Sequence, residues 1–266
     1  MPEGDMVWRT ARRLDDALAG RVLTRSDFRV PRYATTDLTG RMVTGTESRG
    51  KHLLTRVDGG LTVHTHLRMD GSWRVRAAGQ APPRDHRVRL VLGNDHWDAI
   101  GHQLGIVEIL RSQNEERVVG HLGPDLLGPG WDAAEAVRRL LAQPGRPVSE
   151  ALLDQRNLAG IGNIYRAEVL YLRGISPWLP VGEITDLTGL VELARRLLDA
   201  NKQRPGPIVT TGMTGRGQET WVYGRPGRPC RRCGTPVRRE RGAGGGGLTE
   251  DERVTYWCPH CQPAPG

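Results

Sequence analysis

Residues 152–168 read LLDQRNLAGIGNIYRAE, and this stretch decides the fold of the second half of the chain. Apolar residues up to Leu153 indicate a short helix, Gly160-Ile161-Gly162 indicates a tight turn, and Asn163 lies at or near the start of the next helix. Glycines let two backbone segments approach closely, and the N–H groups at a helix start bind phosphate. Asn163 is therefore a candidate phosphate contact, although a plain helix cap explains the local pattern equally well.

Outward from this stretch, the pattern differs between the two halves of the chain. Helical spacing holds from Trp131 onward, as far as Leu198. Residues 21–110 instead form short runs rich in β-branched and apolar residues, broken by Gly, Pro and Asp. Many short strands in succession favour an antiparallel sandwich over a parallel sheet. A Gly-, Pro- and Asp-rich segment, residues 120–132, is the predicted linker between the two halves.

The start of the chain, Met1-Pro2-Glu3-Gly4-Asp5, carries the chemistry. Once Met1 is removed, Pro2 presents a secondary amine, a good nucleophile toward carbon, and Glu3 stands beside it as a proton donor. An isolated tetrapeptide of this kind is more often an ordinary frayed terminus, so the motif depends on its context. Helical spacing over residues 7–19 follows, with Asp5 placed to cap the helix and Gly20 to close it.

The chain has a formal net charge of +8 and a pI of about 9.9, which favours an anionic partner. Almost all of that positive charge is arginine, since Lys51 and Lys202 are the only lysines. An arginine cannot serve as an amine base or nucleophile, so Lys51 is a candidate for amine chemistry. The alternative is that this lysine remains by chance in an arginine-rich sequence. No segment approaches a membrane span, and no signal peptide is indicated. We expect a cytoplasmic, nucleoid-associated bacterial protein.

All four cysteines fall in two pairs, Cys230-x2-Cys233 and Cys258-x2-Cys261. This spacing predicts one structural Zn²⁺ ion held by four thiolates, and it disfavours a disulfide framework. The alternative is two redox dithiols. The glycine run at residues 242–247 accounts for the long interval between the pairs as a loop insert.

Arginines and aromatic residues surround the cysteines, a combination typical of a nucleic-acid surface. Among these arginines only Arg253, on a predicted strand leading into the second cysteine pair, is assigned a specific contact. His64, His66 and His121 are candidates for function, but a structural role is the simpler expectation for each.

These motifs, in this order, resemble the formamidopyrimidine-DNA glycosylase and endonuclease VIII family of base-excision repair enzymes. The resemblance spans nearly the whole chain. Its motifs are Pro2-Glu3-Gly4, Gly50-Lys51-His52, His66-Leu67-Arg68-Met69, Leu122-Gly123-Pro124-Asp125, Gly160-Ile161-Gly162-Asn163, Val222-Tyr223-Gly224-Arg225 and the finger from Arg253 to Cys261.

The resemblance implies an α+β fold. An N-terminal antiparallel β-sandwich with an N-terminal helix comes first, then a helix–two-turn–helix domain with a C-terminal β-hairpin zinc finger. The predicted domains are the catalytic sandwich at residues 1–125, the helix–two-turn–helix domain at 132–219 and the finger at 220–266. Damaged DNA is the implied partner, and we expect a monomer with no small-molecule cofactor.

The resemblance also implies a role for each site residue. Pro2 is the Schiff-base nucleophile, Glu3 the general acid, and Lys51 a phosphate contact that assists β-elimination. Asn163 and Arg253 hold backbone phosphates around the lesion. Met69 fills the gap left by the flipped base.

Two departures bear on the substrate. The arginine–phenylalanine pair of the formamidopyrimidine branch is missing from residues 100–108, and Phe28 is the sole phenylalanine. This points to the endonuclease VIII branch, most like the second actinobacterial paralogue, and to oxidised pyrimidines as substrates. The Gln-Leu-Tyr wedge of the enterobacterial enzymes is replaced by Arg68-Met69-Asp70.

The resulting hypothesis is a bifunctional DNA glycosylase and lyase that acts through a Pro2 Schiff base and β,δ-elimination. The alternative is a non-catalytic zinc-finger protein that binds damaged or distorted DNA, with Met1 retained and the amine blocked. A ribosome-associated RNA-binding protein shares the charge and the finger, but gives no reason for Pro2-Glu3 or Lys51.

Overall fold

The structure is a computed structural model that describes residues 2–81, 84–241 and 254–264. The chain divides into two compact units, residues 1–121 and 122–266. The division falls inside the predicted linker. Among the described residues, no helix combines the length and the apolar composition needed to cross a bilayer.

Helix α1, Gly4–Leu18, opens the first unit and packs Val7, Ala11, Leu14 and Leu18 into its core. Its cap position is Glu3, and Gly20 follows its end with φ +72°. The prediction that Asp5 caps this helix is wrong. The helix begins before Asp5, whose buried carboxylate instead lies 3.7 Å from the guanidinium of Arg9 one turn later.

Eight antiparallel strands follow in two sheets, which confirms the predicted sandwich. Their bounds are β1 Arg25–Phe28, β2 Val43–Arg49, β3 His52–Val57, β4 Leu61–His66, β5 Ser72–Ala77, β6 Val88–Gly93, β7 Trp97–His102 and β8 Ile106–Arg111. One sheet has the order β1-β6-β7-β5 and the other the order β2-β3-β4-β8. Inward side chains of both sheets, such as Leu53, Val63, Leu90 and Ala99, join α1 in one apolar core.

The second sheet is polar on its outer face. Side chains alternate along a strand, so the face opposite Leu53 and Val63 carries His52, His64 and Glu108. Below them on the same face, Arg56 binds Glu47 and Glu115. The short helix α2, Glu116–Val119, follows Glu115.

The second unit is helical. Helices α3 Ala133–Leu141, α4 Val148–Leu153, α5 Asn163–Leu172 and α6 Leu187–Lys202 surround a separate apolar core. Asp132 caps α3 and Asp186 caps α6 through side-chain bonds to N–H groups three residues on. Helix α5 lies at the centre, since Tyr165, Val169 and Leu170 are all buried in this core.

A two-stranded antiparallel hairpin ends the second unit. Strands β9 Arg238–Arg241 and β10 Val254–Trp257 pair in register, and the four cysteines lie on either side of them along the chain. Beside this hairpin, a second apolar cluster of the unit includes Tyr171 and Val222 with Cys230 and Cys258. The glycine insert at 242–247 lies outside the described residues.

Candidate active site and comparison with known proteins

Pro2 and Glu3 lie at the start of α1, where the helix meets the sandwich. Pro2 is half-buried, and the Glu3 side chain is fully buried. The Glu3 carbonyl accepts the first helical hydrogen bond, from the Val7 N–H group, at 3.0 Å. The Glu3 residue, next to Pro2, is thus held at the start of a regular helix.

Lys51 lies at the tip of a two-residue hairpin between β2 and β3. Arg49 and His52 are the last paired residues, and Gly50 at the first turn position has φ +57°. That conformation is characteristic of a type II′ hairpin and favours glycine. Lys51 itself is 7% exposed. A lysine at such a tip is positioned by the pairing of the strands beside it.

The start of α1 and the Lys51 hairpin lie at the same end of the first unit. Asp15 of α1 accepts a hydrogen bond from the Thr46 N–H group of β2 at 2.7 Å, and the Gly20 N–H group bonds to Val43. Helix and strand therefore run in opposite directions. Twelve residues of helix from Asp15 back to Glu3 span about 18 Å, and five residues of strand from Thr46 to Lys51 span about 17 Å.

Met69 is half-buried in the loop after β4 and lines an open cavity of about 450 Å³. Two other residues of this cavity, Arg68 and Gln103, have φ values of +55° and +47°, which are uncommon for residues other than glycine. The Arg68 side chain lies over Gly105, where a Cβ atom would stand 2.0 Å from Arg68 Cγ. The loop conformation that presents Met69 thus depends on a glycine at position 105.

Asn163 is the first residue of α5 and is 2% exposed. The cap position is Gly162, without a side-chain capping bond, so the interpretation of Asn163 as a plain cap is wrong. Its Nδ2 atom donates to the Val254 carbonyl at 3.0 Å. Arg166 donates to the same carbonyl at 2.7 Å and to Asn163 Oδ1. Arg253, the predicted partner of Asn163 and the residue before Val254, lies outside the described residues.

Two residues of α5 escaped the sequence argument. Arg166 is 2% exposed and Glu168 is fully buried. Glu168 accepts hydrogen bonds from the N–H groups of residues 221, 222 and 223 and from the Thr210 hydroxyl. Burial raises the pKa of this carboxyl group, although these bonds oppose the rise. Two charged residues inside an otherwise apolar helix were the signal that could have revealed them.

The four cysteine thiols form a compact cluster that fits a metal ion. All four Sγ atoms lie within 4.8 Å of one another, and the Cys230–Cys261 and Cys233–Cys258 separations are 3.9 and 3.4 Å. Tetrahedral Zn–S bonds of about 2.3 Å require sulfur separations of about 3.8 Å. Burial raises the pKa of Cys230, but hydrogen bonds from Tyr171 and backbone N–H groups outweigh it and lower this pKa to about 6. The separations of the four sulfur atoms, not these pKa values, show that the cluster could hold a metal ion.

Comparison with known proteins decides the family. Residues 1–101 match the formamidopyrimidine-DNA glycosylase N-terminal domain, and residues 122–191 match the formamidopyrimidine-DNA glycosylase H2TH domain. The chain belongs to the formamidopyrimidine-DNA glycosylase and endonuclease VIII family. The predicted recognition and fold class are thereby confirmed.

Individual members of this family are similar to the chain over nearly its full length. An endonuclease 8 2 of Streptomyces coelicolor is 59% identical over 270 residues, covering 100% of this chain and 95% of the relative. A DNA-(apurinic or apyrimidinic site) lyase of Mycolicibacterium smegmatis is 48% identical, covering 99% and 100%. The Lactococcus lactis glycosylase in complex with abasic-site DNA has the same fold, with a TM-score of 0.81, 24% identity and coverage of 98% and 100%.

Proposed function

We propose that this chain excises oxidised bases, principally pyrimidines, from DNA through a Schiff base formed by Pro2. Its family membership makes it a DNA glycosylase with lyase activity at abasic sites, an enzyme of base-excision repair. The observation that carries the Pro2 mechanism is the burial of Glu3 at the start of α1, at the same end of the unit as the Lys51 hairpin.

The proposed chemistry begins with a flipped nucleotide. The Pro2 nitrogen attacks C1′ of the damaged nucleotide, and the base leaves with its bonding electron pair and takes up the proton that the nitrogen releases. Glu3 protonates the sugar ring oxygen as the bond between C1′ and that oxygen breaks. The product is an iminium between Pro2 and the opened sugar. Loss of a C2′ proton then expels the 3′ phosphate in β-elimination, and Lys51 assists this step from the hairpin tip. A second elimination expels the 5′ phosphate.

The remaining site residues act on the DNA backbone and base stack. Asn163, at the first position of α5, and Arg253, next to Val254 in the chain, bind phosphates beside the lesion. Met69 fills the space that the flipped base leaves. The strained loop around Arg68 supports this role, because residues held in uncommon backbone conformations concentrate at ligand-contacting sites.

Zinc is the metal we assign to the cysteine cluster. Four thiolates at tetrahedral separations prefer Zn²⁺, and a fully occupied Cys₄ set leaves no position for substrate, so the ion is structural. Cys230, Cys233, Cys258 and Cys261 would hold it and fix the ends of the β9–β10 hairpin. We further propose that the protein works as a monomer on damaged DNA at the bacterial nucleoid.

Single-turnover assays on oligonucleotides test this function. We expect processed protein to cleave duplexes containing an abasic site and to excise thymine glycol faster than 8-oxoguanine. A control with a short peptide left in front of Pro2 keeps every side chain but converts the amine to an amide, and both activities should disappear. Full activity of that extended protein would refute the Pro2 mechanism.

The Glu3→Gln variant separates base excision from strand cleavage at an abasic site. Base excision should fall by about 10² to 10⁴, because a positioned general acid contributes that much. Cleavage at a preformed abasic site needs no base to leave and should fall far less. An equal loss of both activities would contradict the assignment of Glu3 as the acid that protonates the sugar ring oxygen during base excision.

A further inference from the structure

Three side chains form a hydrogen-bonded chain across the outer face of the second sheet. His52 Nδ1 lies 2.8 Å from His64 Nε2, and His64 Nδ1 lies 3.1 Å from Glu108 Oε2. The residues belong to β3, β4 and β8, and His64 is directly opposite Glu108 in the register. The two imidazole rings stack, with centroids 5.1 Å apart.

The Glu108 carboxylate decides which nitrogens carry protons. A carboxylate accepts only, so His64 Nδ1 must donate to Glu108, and His64 Nε2 is left as an acceptor. His52 Nδ1 must then donate to His64. In this arrangement both rings are neutral, and each imidazole has one protonated nitrogen. The hydrogen bonds therefore all run in one donor-to-acceptor direction, from His52 through His64 to Glu108.

The surroundings keep both imidazoles neutral. Burial, followed by the nearby charges of His66, His64, His121 and Arg68, lowers the pKa of His52 to about 3. Burial also lowers the pKa of His64, although Glu108 opposes this. His66 packs edge-on against His52 at 4.8 Å and accepts a hydrogen bond from the Arg68 N–H group. At neutral pH both hydrogen bonds, from His52 to His64 and from His64 to Glu108, are thus present.

This hydrogen-bonded chain is attached directly to the Lys51 turn. The hairpin tip joins β2, an edge strand of this sheet, to β3, which pairs with β4 on its other side. His52 is the first residue of β3 after Lys51, and its side chain ties that strand to β4 and β8. The hydrogen bond of the His52 side chain lies one residue from Lys51. A small displacement of the β3 backbone at this point moves the Lys51 amine directly.

We propose that the Glu108–His64–His52 chain is a positioning element that holds Lys51 in place for the elimination steps. This inference rests on the proposed role of Lys51. The three residues do not react themselves; they fix the geometry of a neighbouring amine. A displacement of about 1 Å in such a group can cost on the order of 10²-fold in rate.

The test separates elimination from Schiff-base formation. In His64→Leu both hydrogen bonds are lost at similar volume, whereas in His64→Gln one amide can still accept from His52 and donate to Glu108. On abasic-site DNA we expect His64→Leu to slow strand cleavage by about tenfold to a hundredfold. Borohydride should trap more covalent adduct, because the iminium persists. His64→Gln should recover most of the rate.

A second pair of variants covers the case in which His64→Leu does not fold. The Glu108 side chain is 38% exposed, so Glu108→Ala should fold, and it should slow cleavage while Glu108→Gln stays near wild type. His96→Gln, which changes an exposed histidine in the turn between β6 and β7, is the matched control. Wild-type cleavage in folded His64→Leu or Glu108→Ala, or a loss that glutamine does not restore, overturns the proposal. Absence of any adduct in wild-type protein would instead refute the Pro2 mechanism itself.

Discussion

Asn163 and Val254, 91 residues apart in the chain, are joined by a buried hydrogen bond from the Asn163 side chain to the Val254 carbonyl. The bond fastens the start of α5 to the first residue of β10. Arg166 donates to the same carbonyl at 2.7 Å, so the junction has two donors. The start of a helix, where the first N–H groups have no acceptor within the helix, is thereby connected to the strand that follows Arg253.

Asn163→Ala removes one donor of this junction. We expect weaker binding to abasic-site duplexes of every sequence, because phosphate contacts carry no base information. Fluorescence anisotropy with several flanking sequences measures it. Asn201→Ala is the matched control, since Asn201 is another buried amide of the second unit, with hydrogen bonds to Val209 and Leu197. It should lower the melting temperature without weakening DNA binding of the folded protein. A sequence-selective loss in Asn163→Ala would contradict the phosphate role.

Arg253→Ala should also weaken DNA binding uniformly. If Arg253 contacts one phosphate, the slope of log K against log salt should decrease in magnitude by about 1. Arg12→Ala removes the same charge from an exposed position of α1 and is the control. An unchanged salt slope in Arg253→Ala would exclude the phosphate contact.

Glu168→Ala should destabilise the second unit strongly. The substitution leaves three buried N–H groups, of residues 221 to 223, without their acceptor, at about 1–3 kcal/mol each. Glu192→Ala, which removes a single bond from the Trp131 indole, should cost only about 1 kcal/mol. Urea unfolding compares the two. Equal costs would show that the three N–H groups find other partners.

The stability of the first unit should decrease as the pH falls below about 6.5, the ordinary pKa of histidine. His52 has a folded-state pKa of about 3, so between these values the unfolded chain binds a proton that the folded chain does not. The lost stability is about 1.4 kcal/mol per pH unit for one such group. Urea unfolding between pH 7.5 and 5 should show the slope, and His52→Gln should flatten it. An identical slope in the variant would disprove the buried neutral imidazole.

Cys258→Ser should lose most of its bound zinc, because three thiolates hold the ion far more weakly than four. Metal analysis of the purified protein checks this, and DNA affinity should fall with the metal. Unchanged zinc content in the variant would refute the four-cysteine site.

The sequence predicted the features that depend on local pattern. The short strands and the paired cysteines all followed from residue spacing. The Asp5 cap failed because the helix begins at Gly4, and no local rule excluded that start. The His52–His64 bond depends on the register of β3 against β4, and the burial of Arg166 and Glu168 depends on packing against β10 and residues 221–223. Tertiary contacts of this kind lie beyond pattern analysis.

The covalent link between Pro2 and DNA is the claim on which the account depends. Borohydride trapping on an abasic oligonucleotide, followed by proteolysis and mass spectrometry, locates the attached sugar. The account predicts a processed chain that lacks Met1, with the adduct on the peptide that begins at Pro2. An adduct on Lys51, or cleavage-competent protein that still carries Met1, would contradict it.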